Sequence, residues 1–314
     1  LMSNDTTQQC VLFKDLLDFF QAQGHEAEVM SHYSTQWLYN KPWKWPEALS
    51  ARAGMIKAVE RFQPDCWLTY HSYFKSPDVF GPWAAKEGIP YFMLSGAYAS
   101  KRRRRLKTRL GYVLNKRALG AAQALFTNKT SDYERLCSVF GQERVHYMHP
   151  GIESASFPPC PEAGRALRKS LGFRVDDTVA VCVAMLRPGT KSLGVEWVIT
   201  TLAVLDPSIR PKLLIAGDGP EKERLQKLAE EHMPGSVRFL GLVRRSELPE
   251  VYSAGDFFVF PGINEGLGLV YLEAQSCGLP AVAWDHGGAK EVIGHNESGF
   301  ITPSYDQDSF ARAM

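Results

Sequence analysis

The run Phe260-Pro261-Gly262-Ile263-Asn264-Glu265-Gly266-Leu267-Gly268-Leu269-Val270-Tyr271-Leu272-Glu273-Ala274 brings together residue types that can do chemistry. An apolar strand ends, a glycine-rich turn follows, and a helix begins at about Leu267. Glycines let the backbone approach a ligand closely, and the first N–H groups of a helix have no partner inside it. With the helix dipole they suit the diphosphate of a nucleotide. The two glutamates bracket that anion site. Glu265 precedes the helix, and Glu273 lies about 7–8 Å along its axis at a rise of 1.5 Å per residue. Each carboxylate accepts two hydroxyl hydrogen bonds, so one suits a sugar and the other a ribose. Taken singly, either glutamate also reads as a solvated acid near a helix start.

Around this run the sequence resembles the family 4 (group 1) retaining glycosyltransferases with the GT-B fold. Glu265 and Glu273 enclose seven residues, as in that family's paired-glutamate motif. Ala216-Gly217-Asp218-Gly219-Pro220, Phe239-Leu240-Gly241, and Gly287-Gly288 with Glu291 and Gly299 look like its second domain. His149-Pro150-Gly151-Ile152 resembles its interdomain segment.

The resemblance implies an enzyme that moves a sugar from a UDP- or GDP-sugar to an acceptor hydroxyl, with lipid-linked or cell-envelope glycans as the expected acceptors. Front-face transfer follows, in which the leaving diphosphate itself takes the acceptor's proton. Neither a metal nor another cofactor is expected, the nucleotide sugar being a co-substrate. Gly266, Leu267, Gly268, Leu269 and Val270, with Glu273, Gly217 and Asp218, would hold the donor. The family places an Arg and a Lys after the first strand of its second domain to neutralise the diphosphate as charge grows. Here Met185 stands where that arginine is usual, so Arg187 is the substitute, and Lys191 matches the lysine. His71 matches a histidine that the family carries near donor sugar and acceptor. It would position the sugar or help the phosphate with a proton. Asn4 and Asp5 fall in the remnant of the first strand-to-helix loop, toward phosphate or acceptor. Three other readings stay open: a GT-B sugar-nucleotide epimerase, a phosphorylase, and a non-catalytic sugar-nucleotide-binding membrane scaffold. A Rossmann dehydrogenase fits poorly, since Gly217-Asp218-Gly219-Pro220 lacks the third glycine and the later acid.

The elements that must carry these residues alternate between strand and helix, which predicts an α/β chain of two Rossmann-like domains facing each other across a cleft. In the first, a helix is expected over Val11–Gln23 and a strand over Glu26–Met30. Further strands are expected over Cys66–Tyr70, Tyr91–Leu94 and Ala124–Thr127, with helices near Trp83–Glu87 and Ser131–Phe140. In the second, strands are expected at Val179–Val183, Lys212–Ala216, Val237–Leu240, Phe257–Phe260 and Ala281–Trp284. Helices are expected at Leu193–Leu205, Glu221–Glu231, Leu248–Ser253 and Leu267–Cys277. Prolines and glycines place a boundary near His149–Pro159. The domains are thus 1–152 on the acceptor side, a linker region 153–172, and 173–314 for the donor nucleotide. Against the family pattern the chain reads as starting inside its first strand, at Leu1-Met2-Ser3, and as truncated at its C-terminal end.

With 314 residues, 45% hydrophobic and 22% charged, the chain is long enough for two globular domains. Its six cysteines are scattered without metal-ligand or paired spacing, which predicts reduced thiols and a cytoplasmic protein. A net charge of +2 excludes a general nucleic-acid binder. The charge is nevertheless uneven: Lys101–Arg117 holds nine Lys and Arg residues and no acid. Over Lys101–Leu114 it reads as a basic amphipathic helix with Leu106, Leu110, Val113 and Leu114 on one face. Such a helix suits an anionic membrane surface, an anionic acceptor, a second subunit or a solvated face.

Overall fold

A computed structural model describes residue 14, residues 16–31 and residues 33–314. Asn4, Asp5 and the strand remnant Leu1-Met2-Ser3 lie outside the described residues. The chain divides into two compact units, residues 1–148 and 149–314.

In the first unit, helical residues 16–22 run toward Gly24, whose φ of 82° closes the turn in the left-handed region that glycine tolerates. Residues 26–30 form no strand, a correction to the expectation from their alternation. The labelled elements are α1 (Trp45–Phe62), β1 (Trp67–Ser72), α2 (Gly81–Lys86), β2 (Tyr91–Gly96), α3 (Leu106–Ala121), β3 (Ala124–Thr127), α4 (Thr130–Phe140) and β4 (Val145–Tyr147). The strands form a parallel sheet in the order β1-β2-β3-β4. Met55, Tyr91, Met93, Leu119, Leu125 and Leu136 fill its core. The strand burial alternates, as Trp67, Thr69 and Ser72 are buried while Leu68 is 36% exposed.

In the second unit the elements are α5 (Pro161–Ser170), β5 (Val179–Val183), α6 (Thr190–Ala203), β6 (Lys212–Ala216), α7 (Lys222–His232), β7 (Val237–Gly241), α8 (Leu248–Ser253), β8 (Phe257–Val259), α9 (Leu269–Ser276), β9 (Ala281–Trp284), α10 (Ala289–Val292), β10 (Gly299–Thr302) and α11 (Gln307–Ala313). The stretch 153–172, read from sequence as a linker region, is folded into this unit. It carries α5 and buries Phe157 in the core. Arg168 on α5 anchors it by donating to the Ala254 carbonyl at 2.6 Å and to Asp256 at 2.6 Å.

The second sheet is parallel throughout, in the order β10-β9-β8-β5-β6-β7. Its inner strands are apolar along their length because helices cover both faces. Four of the five β5 residues are buried, and all of β9 is. The chain winds outward from β5 to β7, then returns to the other side at β8. That reversal puts β5 beside β8, and open α/β sheets bind ligands beyond the strand ends at such a switch point. The segments leaving these two strands are 184–189 and 260–268.

Candidate functional site

The first segment packs on the turn after β6, and Lys191, just beyond it, pairs with Glu265 in the second. Leu186 turns inward and is fully buried, which leaves Met185 and Arg187 facing out. The Leu186 N–H donates to the Asp218 carbonyl at 3.0 Å, and the Glu221 N–H donates to the Leu186 carbonyl at 3.0 Å. This contact explains the glycines after β6. A Cβ on Gly217, at φ 147°, would lie 1.8 Å from the Ala184 carbonyl oxygen. The 217–219 turn therefore braces the 184–187 loop through backbone packing. The Asp218 carboxylate faces Lys222 at 3.7 Å and accepts from the Gly219 N–H at 2.9 Å. Arg187 is exposed and lies 3.0 Å from the Met185 sulfur, so its guanidinium stands beside the position it was expected to replace.

Lys191 is the second residue of α6 and so sits in that helix's first turn. Its ammonium pairs with the Glu265 carboxylate and lies 5.4 Å from the centre of the Phe260 ring. Glu265 is 9% exposed, at the end of the turn that leaves β8. α9 starts at Leu269, two residues later than its apolar pattern indicates, because Gly268 adopts a left-handed φ of 69°. Among the described residues, the N–H groups of Gly266, Leu267, Gly268, Leu269 and Val270 donate to no backbone acceptor. Five successive donors thus lead into the start of α9, directly after the Glu265 that pairs with Lys191. The neighbouring turn after β9 props them from behind. Gly288 N–H donates to the Glu265 carbonyl at 2.9 Å, and a Cβ on Gly287 would meet that oxygen at 2.2 Å.

Glu273 is the fifth residue of α9 and is 8% exposed. Tyr252 donates its hydroxyl to the carboxylate at 3.0 Å, and Arg245 approaches the other oxygen at 3.7 Å. Burial pushes the Glu273 carboxyl above the ordinary range, and repulsion from Glu265 adds to it. The Tyr252 hydrogen bond and the Arg245 charge pull the other way. Arg245 and Tyr252 were not singled out from sequence. Arg245 opens a single 3-10 turn after β7, and Tyr252 reads as one more apolar residue of α8.

His71 belongs to the first unit. The strand expected over Cys66–Tyr70 runs instead from Trp67 through Ser72, so His71 lies within it, with a φ of 69°. Ser95 on the adjacent strand has φ 53°, and its carbonyl lies 3.1 Å from His71 Nδ1. Two non-glycine residues in the left-handed region at the exit of neighbouring strands are the kind of strain that collects at functional sites. Burial lowers the His71 pKa, opposed by the Ser95 hydrogen bond and reinforced by Lys129, so the ring is neutral near pH 7.

Residues 165–314 match the model of the glycosyl transferases group 1 family. A GDP-mannose-dependent alpha-(1-6)-phosphatidylinositol monomannoside mannosyltransferase of Mycobacterium tuberculosis is 36% identical over 194 residues, which are 57% of this chain and 48% of that protein. A D-inositol 3-phosphate glycosyltransferase of Mycobacteroides abscessus is 28% identical over 279 residues, covering 83% of this chain and 61% of that protein. The chain thus spans between about half and two thirds of the length of these relatives. Two solved structures share the fold. WaaG, a glycosyltransferase involved in lipopolysaccharide biosynthesis, aligns with a TM-score of 0.66 at 16% identity, over 98% of this chain and 85% of its own. Anabaena Alr3699/HepE in complex with UDP-glucose aligns with a TM-score of 0.63 at 22% identity, over 83% and 70%. The α/β architecture of two parallel sheets is therefore that of the GT-B glycosyltransferases, as the paired-glutamate resemblance implied.

Proposed function

We propose that this chain, whose residues 165–314 match the group 1 glycosyl transferases, moves a sugar from a nucleoside-diphosphate sugar to an acceptor hydroxyl with retention of anomeric configuration. The observation that carries the reading is the convergence, at the switch point of the second sheet, of Lys191, Glu265, five amides without a backbone acceptor, and Glu273. In this reading the amides of 266–270 and the first turn of α6 hold the diphosphate. Lys191 exchanges Glu265 for a phosphate oxygen, and Arg187 adds a second cation. Glu265, relieved of its partner, accepts hydrogen bonds from the transferred sugar, and Glu273 accepts from the ribose. As the bond from the anomeric carbon to the diphosphate breaks, the acceptor oxygen bonds that carbon from the same face. The acceptor's proton passes to the leaving phosphate oxygen, and the cations stabilise the charge that develops there.

His71 and the first unit take the acceptor in this reading. The GDP-mannose-dependent and D-inositol 3-phosphate relatives support a GDP-sugar donor and an inositol-containing acceptor, and Alr3699/HepE in complex with UDP-glucose a UDP-sugar. No helix of the described residues is long and apolar enough to cross a membrane. The basic segment Lys101–Arg117 would bring the protein to the cytoplasmic face of an anionic membrane, where lipid-linked acceptors lie.

Incubation with GDP-mannose or UDP-glucose and an inositol-bearing alcohol should yield the nucleoside diphosphate and an α-glycoside at a rate unchanged by a chelator. A β-glycoside would contradict retention, and loss of activity on chelation would contradict the metal-free scheme. A sugar epimerised without acceptor would favour the epimerase alternative.

A further inference from the structure

The single basic helix expected over Lys101–Leu114 is broken: Ser100–Arg104 forms a 3-10 turn, Arg105 is extended, and α3 begins only at Leu106, so five of the nine cations precede it. Beside this basic segment the first unit exposes a second apolar group. Trp43 is 70% exposed, Trp45 53% and Leu49 65%. Trp45 and Leu49 are one turn apart on α1, with Trp43 just before its start. The segment that carries them is clamped to α3. Asn40 donates its side-chain amide to the Lys107 carbonyl at 3.0 Å, and the Lys107 ammonium lies 5.8 Å from the centre of the Trp37 ring. Tyr39 packs so closely on α3 that a Cβ on Gly111 would lie 2.4 Å from its ring. Leu106, Leu110 and Val113 follow one another along α3, exposed by 89%, 50% and 50%. Two apolar edges, one aromatic and one aliphatic, thus flank the start of the segment that holds nine cations and no acid.

We propose that Trp43, Trp45 and Leu49 form a wedge that enters the interfacial layer of an anionic bilayer, while Lys101–Arg117 holds the headgroups. The proposal rests on the reading that the basic segment faces anionic lipid, and adds an inserted element to it. Indole rings favour the boundary between headgroups and acyl chains, where a flat apolar body meets a polar rim. Trp45 is suited to it, since its N–H already donates to the Leu38 carbonyl at 3.2 Å and loses no water partner on entry. Charge decides the occupant. A second copy docking by two-fold symmetry would set the basic segment against itself. Nucleic acid would engage the cations and stack on the tryptophans, but has no use for Leu106, Leu110 and Val113. An anionic bilayer complements all three groups.

The test is flotation of the chain with phosphatidylcholine vesicles, with and without phosphatidylglycerol, in low and high salt. Tryptophan quenching by lipids brominated on the acyl chain is read in parallel. The native chain is expected to bind anionic vesicles with its tryptophans quenched. Trp43→Ser with Leu49→Ser should weaken binding about tenfold or more, because each buried side chain carries at least that factor. The same variant should keep the far-UV circular dichroism and the melting transitions of the native chain, which shows that its first unit folds. Replacing Arg103, Arg104 and Arg105 by Ser should remove the salt-sensitive part of binding. Binding that is lost in the arginine variant, unchanged in Trp43→Ser with Leu49→Ser, and unquenched would overturn the wedge and leave the electrostatic reading standing. No binding of the native chain to anionic vesicles would overturn both. Self-association that Trp43→Ser abolishes, without vesicle binding, would assign the surface to a second copy and overturn the proposal.

Discussion

The two units are built on parallel sheets, yet they bury them differently. In the second, β5, β6 and β9 are buried almost along their whole length. In the first, burial along β1 to β3 alternates, and α1 sinks only Met55 of its 18 residues below the surface. A sheet packed on both faces holds the loops at its strand ends rigidly, and the second unit spends that rigidity on backbone contacts such as Gly217 against Ala184 and Gly287 against Glu265. The difference fits the division of labour proposed above. A nucleotide's diphosphate and ribose demand fixed geometry, whereas a unit that meets an acceptor or a lipid surface presents side chains outward.

The largest test of this contrast falls on the cation of the second unit. Lys191→Ala should lower kcat/KM for sugar transfer about 10²–10³-fold, as loss of one charge-stabilising group does, measured by steady-state release of the nucleoside diphosphate. A loss of only a few-fold would move the diphosphate grip elsewhere. Next come two glycines that differ in role but not in crowding. Gly217→Ala forces a Cβ to 1.8 Å from the Ala184 carbonyl, and Gly111→Ala forces one to 2.1 Å from the Phe74 carbonyl. Each should cost about 1–3 kcal/mol of its unit's stability by urea denaturation. Only Gly217→Ala should also weaken nucleotide binding, and equal effects on binding would erase the contrast.

The smallest effect is expected at Glu273, whose pKa in the folded chain is raised, mainly by burial. A raised pKa means a contribution to stability that is full below the unfolded value and is lost as pH rises through the folded one. At neutral pH the buried carboxylate therefore works against folding. Glu273→Gln should leave the melting temperature at pH 7 equal to or slightly above that of the native chain, with the difference shrinking toward acid pH. A large drop in melting temperature would show that the Arg245 and Tyr252 contacts outweigh burial.

Legibility followed the same divide. Continuous apolar runs such as Val179–Val183, Lys212–Ala216 and Ala281–Trp284 coincide with β5, β6 and β9, because strands buried on both faces carry an unbroken signal. In the first unit Glu26–Met30 alternates like a strand and is none, while α1 has too irregular an apolar stripe to be read. β10 was passed over because it is a short edge strand with Phe300 exposed. Of the proposed site, Glu265 and Glu273 are singled out by type and spacing, and Lys191 only through the family resemblance; the structure pairs Lys191 with Glu265. Arg245 and Tyr252 are not, since their contacts with Glu273 exist only once the segment 245–253 lies beside α9.

Calorimetric titration of the chain and of Glu273→Ala with GDP and with UDP tests the central claim most directly. One of the two nucleotides should bind the native chain, and the substitution should weaken it about tenfold or more, the worth of hydrogen bonds to a charged acceptor. Unchanged affinity in Glu273→Ala would contradict the placing of the donor at the start of α9.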